Sequence, residues 1–366
     1  MPMPLTSNFL AWLDHAAHAL DAAVWTEDLP GADALLSRLA ETGLCAVGVP
    51  ATLGGTGGDV ADAIEAIAQV SERSLAAGFV LWGHRTFIEY LLSSPNHALR
   101  DRLLPDLLSG RVAGATGLSN AMKFLSGLEA LQIVAEADGD GFRLNGMMPW
   151  VTNLRTTGFH VAGAVGYGGA MGPFVAALPH DAPGLVRTAD LDLMAMRGSN
   201  TAAIKLVDVR IGPEHLLTPR ATMWLPQVRP AFLGMQCGMS IGLARRSLQE
   251  TLEQSGAARG VLHDEATTLL SLLTRQGLLL EQGLRGGRFL DTPAALFQLR
   301  IDLADTVARA ASLELQATGG RAYLQPQGDG FARRWREAAF IPVVTPSLVQ
   351  LKTALARQGQ ASGKAA

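Results

Sequence analysis

Only two cysteines, Cys45 and Cys237, occur in 366 residues. Both stand in apolar surroundings without a CxxC partner, a pattern of buried, reduced thiols rather than a disulfide framework or a zinc site. No HExxH motif is present, and His15 and His18 have no further ligand nearby, so metal catalysis has no support. Charge is scarce as well: Asp, Glu, Lys and Arg make up 17% of the chain and the net charge is −3, which offers nucleic acid no general attraction. No stretch approaches the roughly 18 uncharged apolar residues of a membrane span. The first twenty or so residues lack the basic opening of a signal peptide, and the expected location is cytoplasmic. In the Gly-rich stretch 43–58, Gly55 and Gly57 are followed by Val60 where a dinucleotide fingerprint needs glycine. Repeats and low-complexity segments are missing too, apart from a short polar tail after Arg357.

What is there is apolar periodicity, in a chain that is 48% hydrophobic and long enough for two or three domains. Helical spacing runs over 6–108, with Phe9, Leu13, Ala16, Ala17 and Leu20, then Leu35, Leu36 and Leu39. Within it, 62–82 reads as one helix. The period then changes. Residues 130–136 and 141–145 are strand-like, joined by Asp-Gly-Asp-Gly at 138–141, the chemistry of a tight hairpin. Residues 147–152 continue extended, which sets Trp150 and Thr152 two apart on one face. Runs at 160–165 and 174–178, bounded by Gly and Pro, read as further short strands. From 223 onward the period is helical again, over 229–254, 265–281 and 294–317, as in an antiparallel bundle. The prediction is an α+β chain of three regions: helical over 1–110, β over 111–219 and helical over 220–366.

Three stretches carry a family resemblance. The first is Gly-Asp-Gly-Phe-Arg-Leu-Asn-Gly at 139–146 followed by Trp150-Val-Thr-Asn153; the second is 194–217, MAMRGSNTAAIKLVDVRIGPEHLL; the third is Gln316-Ala-Thr-Gly-Gly-Arg-Ala-Tyr323. They resemble the acyl-CoA dehydrogenase superfamily. The resemblance implies a β-barrel-like middle domain, a C-terminal four-helix bundle, and FAD as cofactor. It implies that Trp150 packs on the flavin ring and that Thr152 binds near its N5. Counting back from Ala135-Glu136, Ser126 falls at a phosphate-loop serine and Asn120 at a flavin-facing position, although the family's T-E-P-x-x-G-S-D is here SNAMKFLSG. Gln316, Gly319 and Gly320 would lie near the FAD of a neighbouring subunit, in a homodimer or homotetramer. From the residues alone, Trp150 as core and Thr152 as an ordinary strand residue is the competing reading.

Two departures matter for chemistry. Members of this family remove an α-proton with a glutamate from one of two places, and here those places hold Val228 and a tail with no Asp or Glu after Glu337. A positioned base is worth about 10²–10⁴ in rate. Where the family has an Arg for the FAD pyrophosphate, Gln254 stands, leaving Arg259 or Arg321 as possible substitutes. The first reading is therefore an FAD-dependent oxidoreductase acting on a small molecule or an acyl-CoA. The second is a two-component flavin monooxygenase, fed with reduced FMN or FAD by a flavin reductase, with His84 as its catalytic histidine. The third is a catalytically silent relative with an assembly role.

Overall fold

The computed structural model describes residues 5–254 and 260–364. Its N-terminal part is helical: α1 (Ser7–Ala22), α2 (Asp33–Glu41), α3 (Val60–Ser71), α4 (Leu75–Leu92) and α5 (His97–Leu108). The single helix expected over 62–82 is two. Ser74 adopts an extended backbone and its Oγ accepts from Ala77 N–H, an N-cap that starts α4 afresh. Asp59 and Asp62 form a reciprocal capping box at the start of α3. α4 is buried on nearly every face, which marks it as the central helix of the molecule.

Among the described residues eight strands follow: β1 (Ala113–Thr116), β2 (Ile133–Asp138), β3 (Gly141–Val151), β4 (Phe159–Tyr167), β5 (Phe174–Pro179), β6 (Leu185–Arg187), β7 (Ala202–Ile211) and β8 (Leu216–Thr218). They form one mixed sheet in the order β6-β7-β3-β2-β4-β5-β8, with β1 also alongside β4. β1 and β2 both run parallel to β4, pairing with its first and last residues respectively. The β2–β3 hairpin turns where the sequence predicts, with Asp138 opposite Gly141 and Gly139 at φ 66°, the left-handed position that glycine takes without strain.

Between β1 and β2 lies α6 (Ser119–Leu125), where the family resemblance implies a phosphate-binding loop. SNAMKFL contains neither Gly nor Pro and is rich in helix formers, and Ala121 and Met122 bury its inner face. The C-terminal part is helical: α7 (Ala221–Gln254), α8 (Val261–Arg285), the short α9 (Arg288–Asp291), α10 (Pro293–Thr318), α11 (Asp329–Phe340) and α12 (Leu348–Lys364). α7 packs on α3 as well as on α8 and α10, so one core joins both helical parts. Its approach to α3 is a backbone contact: a Cβ on Gly242 would stand 2.1 Å from Ala68 O, and one on Gly238 2.7 Å from Ile64 O. No helix among the described residues is long and apolar enough to cross a membrane.

Candidate flavin and substrate cavity

β3 pairs with β7 with one register shift between Leu144 and Gly146 and a second between Met148 and Val151. Such a bulge re-aims the side chains within it. Pro149 and Trp150 turn outward, leaving Trp150 63% exposed, while Val151 and Thr152 return to the interior. Asn153 then takes φ 61° and its Nδ2 donates to Gly114 O at 2.9 Å, locking the end of β3 against β1. Thr152 Oγ1 donates to Ser199 O at 3.1 Å, so it retains lone pairs rather than a free proton for a ligand.

Trp150 and Thr152 line one cavity of about 480 Å³. Its far wall is α4, where Phe79 and Trp82 stack with centroids 5.5 Å apart and planes 8° from parallel. Phe340, at the end of α11, meets Phe79 edge-on at 4.8 Å. Trp82 Nε1 donates to Phe232 O at 3.3 Å, which satisfies its polar atom and fixes the ring. Val343, Val344 and Thr345 close the cavity from the segment after α11, and Met194 and Met196 from the β6–β7 connection. That closing segment is held from behind. Gln236 Nε2 donates to Thr345 O at 3.0 Å, and the buried Arg300 donates to Gln236 Oε1 at 3.0 Å and to Ile341 O at 2.6 Å.

The charged residues on the cavity wall are both cations, Lys123 and Arg336, and no Asp or Glu is among its described lining residues. Lys123 pairs with the exposed Glu129 at 2.7 Å and Arg336 with the buried Asp21, and neither acid lines the cavity. Val228 is buried and apolar. Glu337 is fully buried; its carboxylate accepts from Arg333 Nη1 at 2.9 Å and from Leu75 N–H at 3.2 Å, so it caps α4 and joins it to α11.

His84, expected to serve catalysis, is placed elsewhere. It is wholly buried on another face of α4, where Gly114 N–H donates to Nδ1 and Nε2 donates to Leu107 O, each at 2.9 Å. With Nδ1 an acceptor the ring must be neutral, and burial pushes its pKa down to about 4. It ties α4 to β1 and α5, with neither nitrogen left for chemistry.

The expected phosphate-side residues are also committed locally. Asn120 Nδ2 donates to Ala130 O and its Oδ1 accepts from Gln132 N–H, each at 2.9 Å, which staples the α6–β2 connection. It still borders the small hollow on the other side of Trp150. Ser126 Oγ donates to Met122 O at 3.2 Å, beside a shallow recess that Lys123 and Arg229 also line. Arg357 Nη1 donates to Ser126 O at 3.0 Å, adding a third cation there. Gln316 and Gly320 are exposed and Gly319 half-buried at the far end of α10, away from the cavity in the single chain. Arg321 Nη2 reaches Gln254 Oε1 at 3.4 Å, whereas Arg259 lies outside the described residues. Sequence reasoning missed Phe79, Arg300 and the Asp21–Arg336 pair. Phe79 could have been found from its helical spacing to Trp82; Asp21 and Arg336 are 315 residues apart and leave no local signal.

These residues fit the flat end of a flavin: an exposed indole stands beside a hydroxyl at an aromatic-walled cavity. For the phosphates they supply the cations Lys123, Arg229 and Arg357 around Ser126, with Glu129 as the acid beside Lys123. Residues 12–111 match the family model described as acyl-CoA dehydrogenase, N-terminal domain. The "Probable acyl-CoA dehydrogenase YngJ" of Bacillus subtilis (strain 168) is 32% identical over 190 residues, 49% of this chain and 48% of that protein. The chain spans about half the length of the curated relatives it matches. A glutaryl-coenzyme A dehydrogenase in complex with glutaryl-CoA superposes with a TM-score of 0.80 at 17% identity, over 99% of this chain and 97% of that one. Butyryl-CoA dehydrogenase from Megasphaera elsdenii gives 0.77 at 19%, over 98% and 99%.

Proposed function

We propose, from the premise that this chain belongs to the acyl-CoA dehydrogenase superfamily, that it is an FAD-dependent oxidoreductase whose substrate lies between the flavin and the Phe79–Trp82 wall. The observation that carries this is Trp150, an exposed ring beside Thr152 that faces an aromatic cavity instead of packing into the core. Trp150 and Thr152 would hold the flavin ring, and Lys123, Arg357 and Ser126 would lie toward its phosphates. The flavin supplies a two-electron acceptor. The chain's own residues orient substrate against it: Phe79, Trp82 and Phe340 exclude water, and Thr345 lies in the tail stretch 336–347, where the family's base is expected. A threonine hydroxyl is a far weaker base than a carboxylate at neutral pH, so ordinary acyl-CoA desaturation will be slow.

A second reading, oxygenation of a small molecule with reduced FMN or FAD delivered by a flavin reductase, draws on the same lack of a carboxylate in the cavity wall. It proceeds without His84, which does not reach the cavity. For the first reading an electron-transfer partner would accept the electrons. A homodimer or homotetramer would bring Gln316, Gly319 and Gly320 to a neighbouring flavin. One experiment separates the readings: purified protein is titrated with FAD and FMN by visible absorbance, then mixed anaerobically with an acyl-CoA panel. Bound FAD that bleaches slowly with an acyl-CoA supports the dehydrogenase-like reading; turnover that needs added reduced flavin and oxygen supports the oxygenase. A protein that binds neither flavin defeats both.

A further inference from the structure

Arg336 stands on the cavity wall with its side chain 36% accessible, while its partner Asp21 is 3% accessible. Asp21 divides its carboxylate between two tasks. One oxygen accepts from Met196 N–H at 3.2 Å, fixing the β6–β7 connection that lines the cavity, and the other accepts from Arg336 Nη2. A guanidinium carries five N–H donors in one plane. Among the described residues Arg336 uses one nitrogen on a protein acceptor, and its Nε and Nη1 are not buried away from the cavity and solvent. Asp21 therefore aims this cation without exhausting it. The wall carries Phe79, Trp82 and Phe340 together with hydroxyls such as Thr116 and Thr345; its other cation, Lys123, is taken up by Glu129 at 2.7 Å, and no acid is among the described lining residues.

We infer that Arg336 is the specificity-determining cation of this cavity, and that the substrate carries a carboxylate held by the remaining guanidinium donors while its apolar part lies on the Phe79–Trp82 stack. This rests on the cavity being the substrate side of the proposed oxidoreductase. An arginine fork matches a carboxylate in shape and charge, and charge-assisted bonds gain strength where aromatic walls keep water out. A purely structural Arg336 would instead be expected to turn all its donors inward.

The test uses the full chain without added flavin and reads tryptophan fluorescence, since Trp82 and Trp150 line the cavity, during titration with phenylacetate and its neutral analogue phenylacetamide. Wild type should bind phenylacetate about tenfold tighter than the amide. In Asp21→Asn the amide oxygen can still accept from Met196 N–H while Arg336 loses its anion, so phenylacetate should bind about threefold tighter than in wild type. A structural role would move the melting temperature without raising affinity. The double variant Asp21→Asn/Arg336→Gln removes both charges together, leaves no buried acid unpaired, and should bind acid and amide alike. The inference is overturned by equal wild-type affinities, by an Asp21→Asn protein that folds and binds phenylacetate no tighter, or by carboxylate preference that survives in the double variant. FAD is titrated separately by absorbance. Carboxylate preference without FAD binding would sink the flavin reading and leave Arg336's role standing. Loss of FAD affinity in the double variant with carboxylate preference intact would assign Arg336 to the cofactor and end the proposal.

Discussion

The α3–α7 contact and the junction of α4 with α11 are both helix-on-helix, and they are built in opposite ways. The first is backbone against backbone, with Gly238 and Gly242 letting α7 settle onto Ile64 and Ala68. The second is held apart by Phe79, Trp82 and Phe340, joined at its base by Glu337 on the first N–H of α4, and it opens onto the cavity. Tight glycine packing leaves no room for a ligand; aromatic spacing leaves about 480 Å³. Stability and binding are therefore separable in this molecule, and substitutions on the two sides should fail differently.

The largest effect should come from the tight side. Gly242→Val places a branched side chain where even Cβ would lie 2.1 Å from a carbonyl oxygen, so α7 must move off α3. Overpacking of this kind costs about 3 kcal/mol. Chemical denaturation should show that loss, and any fall in flavin binding should follow the unfolded fraction. A variant with wild-type stability would mean the two helices do not approach as described.

His84, on a third face where α4 meets α5 and β1, should make stability depend on pH. Its folded pKa of about 4 lies below the ordinary 6.5, so the unfolded chain binds a proton that the folded one refuses. Stability from this group is full above pH 6.5 and is lost as pH falls toward 4, by about 2 kcal/mol at pH 5. His160, pushed to about 4 mainly by burial but less enclosed, adds in the same direction. Denaturation at pH 7 and pH 5 should give a smaller difference in His84→Gln than in wild type. An unchanged difference would place the titration elsewhere.

On the open side, Trp150→Ala should leave the melting temperature nearly unchanged, because the ring is 63% exposed. It should weaken FAD by about tenfold, the worth of one stacking aromatic. Equal FAD affinity in the variant would remove Trp150 from the site. Equal loss of stability would make it core, the competing reading of the sequence.

These contrasts follow how much the sequence could say. The β2–β3 hairpin and the extended approach to Trp150 were legible because a Gly turn and a strand period are local, whereas the slip before Val151 and the left-handed Asn153 break that period. The helical ends were legible from spacing, and the family from its three stretches. The break at Ser74 was hidden inside an unbroken apolar period, and only its cap reveals it. α6 replaced an implied loop because the residues at 119–125 favour a helix where the family pattern holds Gly and Pro. His84 looked available beside a glycine; its hydrogen-bond partners, Leu107 O as acceptor and the Gly114 N–H as donor, lie 23 and 30 residues on. The Asp21–Arg336 pair was the least readable, since each residue alone is an ordinary surface type. The cavity's side-chain pairings join distant segments and leave no local mark, whereas the individual helices and strands are set by short-range patterns.

The smallest expected effect sharpens the open side further. Glu129 is an exposed acid whose carboxyl is held below the usual range by the Lys123 ammonium, with which it pairs at 2.7 Å. An exposed pair contributes little to folding, so Glu129→Gln should change stability by less than about 0.5 kcal/mol. It removes the acid beside Lys123, in the recess where Ser126 and Arg229 gather, and leaves a more positive surface for phosphates. FAD should then bind about twofold tighter in low salt, and the gain should vanish as salt shortens the range of the field. Riboflavin, which has the ring but no phosphate, should bind both proteins equally. A gain that persists in high salt or extends to riboflavin would mean that the substitution acts on the α6–β2 connection, where Asn120 Nδ2 also contacts Glu129, and that Lys123 is not on the phosphate side.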